Sequence, residues 1–186
     1  MDTIDRLKVK VKRARFQLNP PIVPAELERF EKVSGITLPA DYRAFLLQVG
    51  NGGSKPDWPL SLFYRDVSWL LPLDCWDESC WMIDNPDLSV RLAQPCPVTP
   101  AVVTTEAWEI LWDNDEWDPL WGTIAIEDCG AGGFLSLIVN GEYRDRIFYW
   151  GDCPHLPPKF IPETNFFEWI EKRLDGWIER YSRSIF

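Results

Sequence analysis

The sequence predicts an α+β fold in which helices pack against a mixed or antiparallel sheet that ends in a C-terminal meander. Three patterns predict it. Two short helical stretches lie between residues 24 and 49, three β-like runs follow residue 122, and a long amphipathic stretch comes last. A chain of 186 residues with 46% hydrophobic residues and no internal repeat fits one domain, residues 1–186, with a packed core.

The first segment, residues 1–20, is basic and leaves its local structure open. It carries six bases and two acids in its first 18 residues. Four apolar residues follow helical spacing (Ile4, Leu7, Val11 and Ala14), whereas lysines at 8, 10 and 12 alternate with valines as in a short strand. Because the segment lacks the aromatic and glycine content of a nucleic-acid-binding arm, we expect a solvated end of the chain.

Two short helices are predicted next, over Pro24–Val33 and Ala40–Val49. Proline suits the first turn of a helix, and Ser34-Gly35 is a typical helix end. The apolar stripes of the two helices are Leu27, Phe30 and Val33, then Tyr42, Phe45, Leu46 and Val49. Asn51-Gly52-Gly53 follows, and these residues tolerate the positive φ values that close a helix.

The middle of the chain gives weaker signals. Leu60–Tyr64 and Val67–Leu73 have strand character, and Glu106–Trp112 fits a short helix or a strand. Prolines at 95, 97 and 100 mark a loop, and Asp113-Asn114-Asp115 is typical of a turn.

The regular pattern returns after Gly122. The β-like runs are Thr123–Glu127, Phe134–Val139 and Arg146–Trp150, joined by a glycine-rich turn and by Asn140-Gly141. Short turns between consecutive strands predict an antiparallel meander. Asn165 is a suitable cap for a final helix to about Arg183, whose predicted buried stripe is Phe166, Phe167, Ile170, Leu174, Trp177 and Ile178.

The negative charge is concentrated between Asp74 and Asp128. That span holds thirteen acids and one base, a net charge of −12 in a chain whose total is −10, together with six of the eleven tryptophans. Residues 74–121 therefore form an acidic, tryptophan-rich insertion. Concentrated charge steers a partner of opposite sign, and tryptophan is enriched at interface hot spots. We expect a basic protein partner, whereas nucleic acid would be repelled by its phosphates. The plainer alternative is an insertion that only keeps the protein in solution.

Within the insertion we assign the interface to six residues. Four acids supply charge complementarity and two tryptophans act as anchors: Asp113, Asp115, Glu116, Asp118, Trp112 and Trp117.

Catalytic and metal sites each lack a necessary residue. Cys153 and His155 have the spacing of two zinc ligands, with Asp152 or Cys129 to complete the site, but no Cys-x-x-Cys pair accompanies them. A catalytic Cys–His pair would need His155, the single histidine, with Cys129 as the natural nucleophile, but the neighbouring acids would raise the Cys129 pKa.

Three further kinds of site also find no support in the sequence. The glycines at 130–133 join two strands without the lysine of a phosphate-binding loop. The acids at 113–118 lack the glycine and glutamate of a calcium loop, and a glycosidase pair among thirteen acids would be arbitrary. We expect no enzyme, no cofactor and no metal.

No apolar run is long enough to cross a bilayer, and no apolar region follows the N-terminal charges as in a signal peptide. We therefore expect a cytoplasmic protein with no membrane partner and five reduced cysteines.

Two stretches resemble a known family. Residues 34–47 (Ser-Gly-Ile-Thr-Leu-Pro-Ala-Asp-Tyr-Arg-Ala-Phe-Leu-Leu), followed by Asn51-Gly52-Gly53, resemble the leading motif of the SUKH superfamily. Residues 121–126 (Trp-Gly-Thr-Ile-Ala-Ile), Cys129-Gly130 and residues 135–141 (Leu-Ser-Leu-Ile-Val-Asn-Gly) are similar to its strand–glycine–strand–turn signature. The similarity covers about a third of the chain. Asp145 departs from it, standing after the hairpin turn where the family often has glycine.

The SUKH superfamily contains cell-wall-assembly regulators of the Smi/Knr type and many bacterial immunity proteins. The resemblance implies a mixed sheet with packed helices and a binding module rather than an enzyme. For bacterial members it implies neutralisation of a cognate toxin, often a nuclease, by direct contact in the cytoplasm. The alternative that it implies is a regulatory scaffold of the cell-wall-regulator type. The acidic insertion is not part of the shared pattern.

Overall fold

The computed structural model describes residues 1–54, 69–70, 73, 88–102, 104–113, 120–130, 132–151 and 155–183. Its helices are α1 (Thr3–Arg13), α2 (Pro24–Ser34), α3 (Ala40–Gln48), α4 (Leu88–Ala93), α5 (Thr105–Trp112) and α6 (Phe166–Arg183), with a 3-10 turn at Pro100–Val102. Its strands are β1 (Gln17–Leu18), β2 (Gly53–Ser54), β3 (Trp69–Leu70), β4 (Thr123–Gly130), β5 (Gly133–Ile138), β6 (Ile147–Gly151) and β7 (Lys159–Phe160).

The strands form one sheet in sequence order, and each strand pairs antiparallel with the next. The long hairpins β4–β5 and β5–β6 form its centre, which confirms both the α+β class and the predicted meander. All pairings in the described part of the sheet are antiparallel, so the mixed alternative is not needed there.

Alternating side chains of the central strands pack into two apolar clusters. Ile124, Leu135 and Leu137 belong to the first cluster with residues of α1, α2, α3 and α6. Phe134 and Phe148, from alternate positions, belong to the second with Trp108 of α5. Leu92 of α4 also belongs to the first cluster. Since successive strand residues point to opposite faces, five of the described helices (α1, α2, α3, α4 and α6) cover one face of the sheet and α5 covers the other.

The N-terminal segment forms helix α1, and the expectation that it would be only a solvated end was wrong. Leu7 and Ala14 are fully buried in the first cluster. Arg6 donates to Glu171 at 2.5 Å, and Lys10 lies 2.7 Å from Asp175, both acids being on α6. Glu171 and Asp175 of α6 therefore hold the basic helix α1 in place.

Helices α2 and α3 lie where the sequence predicts them. Gly35 ends α2 in the left-handed conformation, with φ of 68°. Leu27 is buried, but Val33 is exposed, so the predicted stripe of α2 is shorter than expected. Tyr42, Phe45 and Leu46 of α3 are buried as predicted.

The remaining predictions of local structure have mixed outcomes. Strand β3 lies within the predicted run Val67–Leu73, whereas Leu60–Tyr64 falls outside the described residues. The stretch Glu106–Trp112, predicted as either a short helix or a strand, is a helix, α5. Asp145, where the resemblance led us to look for glycine, has φ of 74°, so the hairpin keeps the left-handed conformation that glycine would favour.

No helix in the described ranges is both long and apolar enough to cross a membrane.

Candidate functional site

Helix α5 lies within the acidic insertion and is held against the sheet by its cap and its buried tryptophan. The Thr104 side chain accepts a hydrogen bond from the Ala107 N–H at 3.2 Å and so caps the helix. One face of the helix is anchored by Trp108, which is fully buried against the sheet. The indole of Trp112 packs against that of Trp108, with ring centroids 5.3 Å apart. The orientation of the opposite face is therefore fixed by core packing.

The opposite face of α5 presents an apolar side chain between two acids. Glu106, Ile110 and Asp113 follow each other at spacings of four and three residues, which places them on one side of a helix. All three are exposed, and 67% of the Ile110 surface faces solvent. The helix contains no lysine or arginine. An exposed isoleucine flanked by carboxylates has the form of an interface anchor with a charged rim.

The six predicted interface residues are only partly within the described structure. Asp113 is exposed at the C-terminal end of α5, and Trp112 is half-buried beside the second cluster. Asp115, Glu116, Trp117 and Asp118 lie outside the described residues. The interface role of all six residues stays a prediction. Sequence reasoning missed Ile110, although its position between Glu106 and Asp113 on one helical face was readable from the spacing.

His155 lies on the surface and its Nδ1 is 2.6 Å from Oε1 of Glu109 on α5. The described residues hold no group of three histidine, cysteine, aspartate or glutamate side chains placed to bind a metal ion. The proposed zinc ligands Cys153 and Asp152 fall outside those residues. The observed partner of His155 is thus an acid of the α5 surface.

Cys129 is a poor nucleophile in this structure. The pKa of its thiol is raised to about 12, chiefly by burial and also by the Glu127 and Asp128 carboxylates, against the opposing effect of Arg173. A thiol with that pKa is protonated near neutral pH, whereas catalytic cysteines react as thiolates. The acids adjacent in sequence act as predicted, but burial is the larger cause.

Glu127, one of the thirteen acids of the charged span, is buried. It is fully inaccessible, and Oε1 accepts hydrogen bonds from Nε and Nη2 of Arg173 on α6 at 2.9 and 2.5 Å. Burial raises the Glu127 pKa, while Arg173 lowers it. One of the thirteen acids of the charged span therefore ties the sheet to α6.

A β-bulge turns Glu127 toward the helices. The register of β4 against β5 shifts between Ala125 and Glu127, so Glu127 pairs with Leu135. Leu135 belongs to the cluster beneath the helices, and so its register partner faces the same way. Strict alternation would have placed Glu127 with Thr123 and Ala125 on the other face.

Beside this ion pair lies a cavity of about 410 Å³ between α6 and the sheet. The side of the sheet is lined by Cys129, Leu135 and Tyr149, and the segment after β7 contributes Ile161, Pro162 and Glu163. The α6 side consists of Trp169, Lys172, Arg173, Gly176 and Trp177. The cavity is on the face of the sheet opposite α5, so it is separate from the outward face of α5 that carries Glu106, Ile110 and Asp113.

The fold now defines the class of the protein. A helix pair lies between β1 and β2, a glycine-containing meander forms the centre of the sheet, and a C-terminal helix packs on one face, as expected of the SUKH superfamily. A family model confirms the assignment: the chain belongs to the SMI1 / KNR4 family (SUKH-1), which matches residues 21–172.

The chain is also similar to a curated protein described as a carboxylic ester hydrolase, LipN of Mycobacterium tuberculosis (strain ATCC 25618 / H37Rv). The two are 33% identical over 119 residues, which cover 58% of this chain and 32% of the relative. The chain thus matches about a third of that protein's length.

Proposed function

We propose that this protein is an immunity-type protein that binds a cognate toxin in the cytoplasm and neutralises it by direct contact. The observation that carries the proposal is the outward face of α5. There Ile110 is exposed between Glu106 and Asp113 on a helix anchored by the buried Trp108. Membership of the SMI1 / KNR4 family supports a binding role, and the chemistry of α5 supports a basic partner.

The charge of this face suits a toxin that acts on nucleic acid. A nuclease needs a basic groove to hold phosphates, and carboxylates on a rigid helix would occupy that groove in place of the substrate. Carboxylates at the rim mainly accelerate encounter, whereas a central apolar side chain mainly slows dissociation. The acids and Ile110 should therefore affect different rate constants.

The test uses the toxin domain encoded beside the gene, and measures association and dissociation by surface plasmon resonance. Replacing both acids, Glu106→Lys with Asp113→Lys, should lower the association rate about tenfold or more at 50 mM salt, and the difference should nearly vanish at 500 mM salt. Ile110→Asp should mainly raise the dissociation rate, about 30-fold for a hot-spot residue. The control is Glu28→Lys, an exposed acid on α2.

Growth of cells that express the toxin gives the functional readout. Wild type and the Glu28→Lys protein should protect the cells, and the α5 variants should not. If the α5 variants bind and protect as wild type does, the α5 face is not the toxin-binding surface. If no toxin encoded beside the gene is bound or neutralised, the immunity proposal itself fails.

A regulatory scaffold is the second candidate, and the surface of α1 favours it. Lys8, Lys12 and Arg13 are exposed there and Arg15 is exposed just after the helix, so the molecule carries a basic surface as well as the acidic α5 face. Two surfaces of opposite charge suit partners of opposite charge. A scaffold should bind several partners with micromolar affinity, and an immunity protein should bind one partner with nanomolar affinity or better.

The candidate catalytic residues of this chain give no support for ester hydrolysis, the activity in the name of the mycobacterial relative. The candidate nucleophile Cys129 has a raised pKa, and His155 is held by Glu109. Exchanging both for alanine should leave toxin binding and protection unchanged. Hydrolysis of p-nitrophenyl butyrate by the wild type that is lost in this variant would instead support an enzyme.

A further inference from the structure

The cavity between α6 and the sheet has the size and lining of a ligand site. Its volume of about 410 Å³ lies within the range of small-molecule pockets, ~300–1,000 Å³. Trp169 and Trp177 from α6 and Leu135 and Ile161 from the opposite side give it apolar walls. Both indoles are nearly buried and therefore held in place. Such walls suit a flat apolar body, an aromatic ring above all.

The charged groups of the cavity are arranged so that cations face outward. Lys172 pairs with Glu163, and 68% of the lysine side chain is exposed against 12% of the glutamate. Arg173 pairs with Glu127, and the exposed fractions are 34% and 0%. In both pairs the carboxylate lies beneath its cation. A ligand that enters the cavity therefore meets an ammonium and a guanidinium group first.

Lys172 can hold a ligand without losing its present partner. An ammonium group has three N–H donors, so a bond to Glu163 leaves it able to donate to a second carboxylate. The guanidinium of Arg173 lies over the ring of Trp177, 5.2 Å from its centroid. The positive group and the apolar wall are thus adjacent, as an amphipathic anion requires.

Gly176 leaves the rim of the cavity open on the side of α6. It lies inside the helix, where glycine costs about 1 kcal/mol relative to alanine. A Cβ at this position would meet no atom within 4 Å, so packing does not require glycine there. Its φ lies outside the left-handed region, so backbone conformation does not require it either. Close approach of a ligand is a physical reason that remains.

We propose that this cavity binds an amphipathic carboxylate, an aromatic or branched apolar body that carries one carboxylate group. The carboxylate lies at Lys172 and Arg173, and the apolar body lies between the tryptophans and the sheet. The site is on the opposite face from α5 and takes the opposite charge. It is therefore independent of the proposed toxin-binding surface.

The experiment titrates the ¹⁵N-labelled full chain with indole-3-propionate and, separately, with indole-3-propanamide, its uncharged analogue. The carboxylate should give saturable shifts at Gly176 and Lys172, with a dissociation constant of about 1 mM, as expected for a ligand of this size. The amide should bind at least fivefold more weakly. Lack of saturation by 10 mM carboxylate, or equal affinity for both compounds, would overturn the proposal.

Two variants locate the site. Gly176→Leu fills the open rim and should abolish binding, while its thermal unfolding midpoint should not fall because leucine is the better helix former. Lys172→Gln should reduce the preference for the carboxylate at least threefold, and Lys32→Gln, an exposed lysine on α2, should leave it unchanged. Binding by a folded Gly176→Leu protein with wild-type affinity would show that the ligand lies elsewhere.

The carboxylate could belong to a peptide C-terminus or to a free small molecule, and N-acetylphenylalanine, a single-residue mimic of a C-terminus, distinguishes the two. Tighter binding than indole-3-propionate indicates a peptide C-terminus, and weaker binding indicates a free small carboxylate.

Discussion

Replacing Arg173 by methionine should destabilise the protein far more than removal of an ordinary surface arginine. The guanidinium donates twice to the Oε1 atom of Glu127, whose side chain is wholly inaccessible. Methionine keeps much of the side-chain volume but no charge. Glu127 would then be left as a buried carboxylate without its Arg173 counter-charge, and a broken buried ion pair costs about 3–5 kcal/mol. Because 34% of the Arg173 side chain is exposed, we expect the lower end, about 3 kcal/mol.

The loss should also depend on pH. Burial raises the Glu127 pKa, and the charge of Arg173 opposes that rise. In Arg173→Met the opposing effect is gone, so the pKa rises further. The folded state then holds a proton more tightly than the unfolded chain does, and the native state is most favoured below the ordinary carboxyl pKa. That contribution is lost as the pH rises through the raised pKa. The variant should therefore lose more stability at pH 8 than at pH 5.

The assay is urea unfolding at pH 5 and pH 8, followed by far-UV circular dichroism. A loss of about 3 kcal/mol corresponds to about 6–12 °C in the thermal midpoint of a chain of this size. The matched control is Arg43→Met: Arg43 is also 34% exposed, but its partner Glu31 keeps 14% exposure. The control should cost about 1 kcal/mol or less.

A second variant isolates the buried charge. Glu127→Gln combined with Arg173→Met removes both charges and should be more stable than Arg173→Met alone at pH 8. The reasoning is refuted if Arg173→Met loses no more than Arg43→Met, or loses the same amount at both pH values.

Three further predictions concern backbone and core, each checked by urea unfolding. Gly53 has φ of 140° and a Cβ there would overlap the Gln17 carbonyl oxygen, so Gly53→Ala should cost more than Gly35→Ala. Gly35 has φ of 68° and no atom within 4 Å of an added Cβ, so Gly35→Ala should cost about 1 kcal/mol. Asp145→Gly should change stability by less than about 1 kcal/mol, whereas Asp145→Val should lose about 1–2 kcal/mol because a β-branched residue is strained at φ of 74°. Trp108→Ala should cost about 3–5 kcal/mol and remove the support of α5.

Local rules predicted most of the regular structure. Proline at the start of α2 and glycine after it are chemical signals of helix ends, and both occur where the structure has them. The meander followed from alternating apolar runs with turn residues between them. Each of these signals depends on residues close together in sequence, so a short local stretch is enough to predict the element.

The features that sequence reasoning missed depend on distant partners. Composition marked α1 as a solvated segment, yet Arg6 bonds to Glu171, 165 residues away, and Leu7 is buried. Alternation along β4 alone would put Glu127 on the wrong face, because the bulge that reorients it is a property of the pairing with β5. No spacing rule within one strand reports the register of the next.

The charge of the acidic span between Asp74 and Asp128 also depends on partners that are mostly distant in sequence. Glu127 is neutralised by Arg173, Asp128 accepts a hydrogen bond from the Gly130 N–H at 2.7 Å, and Glu109 contacts His155. These three acids serve the fold or its surface contacts, so a count of thirteen overstates the charge offered to a partner. Among the described acids, Glu106 and Asp113 combine exposure, a fixed helix and an apolar neighbour. Association should consequently respond to these two more steeply than the net charge of the span implies, because the nearest charges dominate where salt screens beyond about 10 Å.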